Sequence, residues 1–155
     1  MTTLLSNATL VTLNERSPVA KSQELLIEEG IISQIGGRVE TNRTSVDMRI
    51  DCSGKIVMPG LINAYSHLLE ILQRSFRDNV RKEVWLRHRQ MTEEAVPLSP
   101  QAIGAAAALA CAEMLKSGVT SVVDHFALRS GMTPATMKAT VHAFKRTGIR
   151  GIVAP

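Results

Sequence analysis

Apolar and polar positions alternate imperfectly from Leu4 to Leu13, in a stretch rich in Thr, Leu and Val, and Asn14-Glu15-Arg16-Ser17-Pro18 follows as a turn signal. The chain therefore opens on a β-strand. From Glu24 to Ile35, Leu25-Leu26-Ile27 leads to Glu28-Glu29-Gly30 and then to Ile31-Ile32, which predicts two short strands joined by a tight turn at Glu29-Gly30. Val46 to Ile50 and Lys55 to Met58 predict two more strands on either side of Cys52-Ser53-Gly54. The expectation for residues 1–58 is a small antiparallel sheet with one apolar face and edges that need covering.

After Pro59-Gly60 the period changes. Leu61-Ile62-Asn63-Ala64 reads as a short, fully buried strand. A polar and basic stretch from Glu70 to Glu94 carries Leu69, Leu72, Phe76 and Val80 at roughly helical spacing. The clearest helix comes next: Ser99 caps it, Pro100 occupies its first position and Gly118 lies just past its end. Ile103, Ala106, Ala107, Ala110, Cys111 and Met114 form its apolar stripe. Thr120 to Asp124 reads as a buried strand. Thr133 and Pro134 then start a second helix with Met137, Val141 and Phe144 on one face, Gly148 stops it, and Ile149 to Val153 is a further strand. Strand, helix, strand, helix, strand is the alternation of a parallel α/β unit over residues 59–155. Three such strands stopping at Pro155 leave an open edge and an uncovered apolar face, so the expected fold is incomplete.

Composition narrows the function classes. Of 155 residues, 45% are hydrophobic and 21% charged, which is globular rather than disordered. Aromatic residues make up 3%, too few to build a stacking platform for bases, and with no Gly-rich loop or Cys/His cluster this argues against nucleic acid. The net charge of +4 comes from a run holding Arg74, Arg77, Arg81, Lys82, Arg87 and Arg89, which reads as a solvated helical face. Cys52 and Cys111 make neither a disulfide framework nor a thiolate metal site, and Cys111 is expected inside its helix core. No apolar run approaches membrane-spanning length and no secretory leader is visible, so a cytoplasmic protein is expected, with neither membrane nor nucleic acid as partner.

The stretch Lys55-Ile56-Val57-Met58-Pro59-Gly60-Leu61-Ile62-Asn63-Ala64-Tyr65-Ser66-His67-Leu68 resembles the opening of the amidohydrolases of the deaminase and chlorohydrolase type. In that family a β segment leads into Pro-Gly-Leu-Ile and then His-x-His on the first strand of a (β/α)₈ barrel. Leu109 to His125, with its Gly118-Val119-Thr120 turn, is similar to the family's next helix and second strand. The resemblance covers essentially the whole chain. It implies a β-sandwich segment over residues 1–58 followed by the first units of a metal-dependent TIM barrel over residues 59–155. It also implies hydrolytic removal of an amino or chloro group from a small nitrogen heterocycle, with zinc or iron as the family's metal.

Two histidines two apart on a strand point to one side and reach one metal, and the metal turns bound water into a nucleophile. This chain has Tyr65 at the first of those positions and a histidine only at His67. A phenol is a poorer ligand than a neutral imidazole, and one histidine falls short of the three protein ligands usual at catalytic zinc. The expectation is therefore His67 as the one family ligand, no metal held by this chain alone and no complete catalytic set. His125, ending the second strand, is the candidate substrate-facing residue. Asp124 beside it faces the other way and is read as structural, and His88 and His142 as solvent-side. The predicted function is the N-terminal part of an amidohydrolase-like hydrolase, inactive as this chain. The alternative is a non-catalytic product acting through self-association or a partner chain.

Overall fold

The computed structural model describes residues 1–39, 46–75, 78–95, 98–126 and 132–154. Their contacts divide the chain into two compact units, Met1–Pro59 and Gly60–Pro155.

In the first unit the alternating N-terminal stretch forms β1 (Thr2–Val11), followed by β2 (Val19–Glu28) and β3 (Ile31–Gly36). The turn between β2 and β3 is the one expected: Glu29 and Gly30 take φ of 51° and 79°, the left-handed pair that matches strand twist in a two-residue hairpin. Two short strands, β4 (Met48–Asp51) and β5 (Ile56–Val57), complete a sheet ordered β3-β2-β1-β4, with β5 also on β1.

The wholly antiparallel expectation is corrected here. β1 pairs antiparallel with β2, but parallel with β4 and β5. A hairpin reverses the chain, whereas parallel pairing does not follow from a tight turn, and β4 is separated from β3 by residues 37–47. Leu4, Ala8, Leu10, Leu25, Leu26 and Cys52 are buried. Asp51 secures the bend after β4, accepting from Asn7 Nδ2 at 3.0 Å and from Ser53 at 3.0 Å (N) and 2.7 Å (Oγ). These donors, Asn7 foremost, hold its carboxyl down to about 2.

The second unit begins with β6 (Leu61–Ser66). A short 3₁₀ segment (Leu68–Gln73), α1 (Lys82–Ala95), α2 (Pro100–Lys116), β7 (Val119–His125), α3 (Pro134–Thr147) and β8 (Arg150–Ala154) follow. The three strands form a parallel sheet ordered β6-β7-β8. Helix ends follow the sequence signals. Ser99 Oγ accepts from Ala102 N at 3.2 Å. Thr133 and Thr136 form a reciprocal capping box, and Gly148 closes α3 at φ 80° with its N–H on Phe144 O at 2.9 Å.

The core lies between α2, α3 and one face of the sheet. Ala107, Ala110, Cys111, Val122, Ala143, Phe144 and Ile149 are packed together with Leu68, while Met114 covers their margin. The stripe read for α2 is the buried one. That of α3 is rotated: Thr136, Thr140, Ala143 and Phe144 are buried, while Val141 is 40% exposed. The small threonines and alanine allow α3 to approach α2 closely, as Gly104 opposite Ala139 also does.

Two other expectations change. The roughly helical spacing of Leu69, Leu72, Phe76 and Val80 belongs to no single helix: Leu69 and Leu72 lie in the 3₁₀ segment, Val80 precedes α1, and Phe76 and Arg77 lie outside the described residues. β6 is not fully buried, since Ile62 is 73% exposed. It is an edge strand, and the helices cover a single face of the sheet. Gly60 is fixed by packing, because a Cβ there would fall 2.1 Å from Thr120 Oγ1. Among its described residues the basic run is exposed, as read from sequence, apart from Arg89. Half-buried, Arg89 lies 3.1 Å from Glu70 and over the Trp85 ring.

Candidate functional site

β6 and β7 run parallel, so their C-terminal ends come together, and that is where Tyr65, His67 and His125 meet. The three rings form one cluster. Tyr65 and His67 meet edge to face, with centroids 5.0 Å apart and planes at 78°. Tyr65 lies over His125 at 5.7 Å with planes 25° apart. His67 and His125 are 5.2 Å apart. Tyr65 is 67% exposed, so this small aromatic face is open to solvent.

Hydrogen bonds define His67 at both ring nitrogens. Its Nδ1 lies 2.7 Å from the main-chain oxygen of His125, and its Nε2 3.0 Å from the Tyr65 hydroxyl. A carbonyl oxygen only accepts, so Nδ1 carries a proton. In the neutral ring Nε2 then holds the lone pair, and the phenol donates to it.

Asp124, one residue before His125, points the other way. It is 1% exposed, and its Oδ1 accepts from Leu68 N at 3.0 Å. The bond ties the chain just after His67 to β7. The second oxygen, Oδ2, is buried with no hydrogen-bond partner among the described residues. Burial pushes this carboxyl above its ordinary range, against the pull of the Leu68 N–H and of His67 and His125. Asp124 is thus a structural residue, but one that positions the His67 segment, which its place next to a histidine did not reveal. His142 is exposed, as expected, whereas His88 is half-buried on α1.

A metal of the kind the resemblance implies would need several donor groups converging here. Its first ligand position holds a phenol that donates to the only family histidine, and among the described residues no group of three or more His, Cys, Asp or Glu side chains converges to hold an ion. The residues present do not fit a zinc or iron centre.

The amidohydrolase family model matches residues 56–154. The chain is 32% identical over 154 residues to a 5-methylthioadenosine/S-adenosylhomocysteine deaminase of Bacillus cereus, a match covering 99% of this chain and 34% of the relative. Among solved structures it is similar to a variant of the atrazine chlorohydrolase TrzN from Arthrobacter aurescens complexed with zinc and atraton. The TM-score there is 0.90 and the identity 27%, over 99% of this chain and 35% of that one. A zinc-bound adenosine deaminase from Xanthomonas campestris shares the fold, with a TM-score of 0.80 at 24% identity over 97% of this chain and 33% of that one. The chain spans about a third of the length of these relatives.

Proposed function

Since the chain belongs to the amidohydrolase family, we propose that it builds the N-terminal strands and first barrel units of a hydrolase that replaces an amino or chloro substituent on a small nitrogen heterocycle. In such a reaction the oxygen of water bonds to the ring carbon, and ammonia or chloride leaves. The observation that carries this reading is the meeting of Tyr65, His67 and His125 at the C-terminal ends of parallel strands, the end of a barrel where such enzymes work. The exposed faces of Tyr65 and His125 suit a flat heterocycle, and His125 is the residue assigned to substrate contact. Zinc belongs to the solved relatives, and no step is assigned to a metal here. The 155-residue chain is proposed to be inactive by itself, because these three groups hold no complete acid, base and nucleophile set.

The test is a chimera in which this chain replaces the corresponding third of the Bacillus deaminase. The expected result is saturable binding of 5-methylthioadenosine that His125→Ala weakens at least tenfold, with no turnover by the 155-residue chain alone. A folded chimera whose binding ignores His125 would sink the assignment, as would turnover by the isolated chain.

Self-association is the second reading, favoured by the uncovered sheet face, where Ile62 and Ile152 are 73% and 63% exposed. Sedimentation of the chain decides it: a concentration-independent monomer removes this reading.

A further inference from the structure

His67 is held as a ligand histidine is held, yet its free nitrogen is taken. A main-chain carbonyl fixing Nδ1–H and leaving Nε2 as the electron-pair donor is the usual support for a metal-binding imidazole. Here the support is present, with Nδ1 2.7 Å from His125 O. The position beyond Nε2, where zinc would lie at about 2.0–2.1 Å, is filled by the Tyr65 hydroxyl at 3.0 Å. A gap of that length is the span of one hydrogen bond, and the phenol proton lying in it takes up the Nε2 lone pair that an ion would need.

The phenol is also clamped. Its ring meets His67 edge-on and stacks over His125, so swinging away would break both contacts as well as the hydrogen bond.

We propose that Tyr65 caps His67 and excludes a divalent metal from this position, leaving a hydrogen-bonded tyrosine–histidine pair in place of the family's metal-binding pair. The proposal rests on the amidohydrolase reading for which position a metal would occupy, and on the hydrogen bonds alone for what occupies it. The ring orientation of His67 is then a retained feature, and one side chain decides whether the nitrogen is available.

The test uses the 155-residue chain, the four histidines resolved by proton–nitrogen correlation spectra, and zinc as the only added ligand. In the unsubstituted chain, His67 should show a protonated Nδ1 and a hydrogen-bonded, unprotonated Nε2, and a tenfold excess of zinc should leave both signals in place. Tyr65→Phe should shift the Nε2 signal alone. Tyr65→His should raise zinc affinity at least tenfold, with Nε2 of His67 among the shifted nitrogens.

The proposal is overturned if the unsubstituted chain binds zinc through His67, if Tyr65→Phe leaves Nε2 unchanged, or if a folded Tyr65→His variant gains no affinity. Should that variant not fold, the first two readings still decide. A chimera that fails to bind heterocycle while the His67 signals stand as described would remove the functional reading and leave this one intact.

Discussion

The two faces of β7 are made by different means. Toward the helices, Val122 and Asp124 are buried, Val122 among Cys111, Phe144 and Ile149. Toward the opposite side, in register with Ile62 on β6 and Ile152 on β8, stand Ser121 and Val123, with His125 at the strand end. The first face is held by close packing of apolar volume. The second is uncovered, and at its strand end the order comes from a three-ring cluster and hydrogen bonds to main chain. Stability and chemistry are thus separated across one sheet, and substitutions on the two faces should differ in kind as well as in size.

The largest effect should come from Phe144→Ala on the packed face. Phe144 is buried in the main core cluster, and emptying an aromatic site of this kind costs about 3–5 kcal/mol. Urea denaturation of the unit's cooperative transition measures it. A loss below about 1 kcal/mol would mean that the helix-facing side is not what holds the sheet.

Gly151→Ala should come next, and it probes the same contact from the strand. A Cβ on Gly151 would lie 2.3 Å from ring atoms of Phe144, so the ring or the strand must move. Overpacking of this sort costs about 1–3 kcal/mol. In the Phe144→Ala background the same substitution should cost little, because the atom it meets is gone. Additive losses in the double variant would show that the glycine is needed for another reason.

The packed face was the legible one. Caps at Ser99 and Thr133, stops at Gly118 and Gly148 and the stripe on α2 are local signals, and the helices obey them. The Glu29-Gly30 hairpin was legible for the same reason. What failed in the fold depended on contacts distant in sequence. The parallel attachment of β4 and β5 to β1 is a pairing that no local pattern encodes. The rotated face of α3 comes from its close approach to α2, where threonine and alanine fit better than Val141. In the site, Tyr65, His67 and His125 could be picked out from motif position. The bond from Tyr65 to His67 and that from Asp124 to Leu68 could not, since each depends on how β6 leaves the sheet.

Asp124→Asn sharpens the boundary between the faces, and its effect is smaller and pH-dependent. Burial raises the folded-state pKa of Asp124 above the unfolded value, near 3.9. The folded protein therefore binds this proton more tightly than the unfolded one, and stability from this group is fully present below about pH 4. It is lost as pH rises through the folded-state pKa. The asparagine keeps an oxygen for the Leu68 N–H and has no charge to bury. Its stability relative to the parent chain should therefore increase as pH is raised from 4, then level off. Denaturation midpoints of both proteins from pH 4 to 8 check this, and a constant difference would show that the Asp124 carboxyl titrates normally despite its burial.

The smallest effect on stability belongs to the open face. His125 is exposed, and it gives His67 a main-chain oxygen for Nδ1 as well as an edge-on ring contact at 5.2 Å. His125→Ala therefore leaves the Nδ1 bond in place and removes a solvent-exposed ring from its contacts with Tyr65 and His67. Its cost should stay within about 0.5 kcal/mol, as for surface sites that hold no cap, core or buried charge. The Tyr65 ring protons should nonetheless shift, because the ring 5.7 Å away is lost. The contrast with Phe144→Ala is then between an aromatic residue that holds the sheet and one that only furnishes its end. If His125→Ala destabilised the chain as Phe144→Ala does, the ring cluster would itself be core, and the division of labour across β7 would fall.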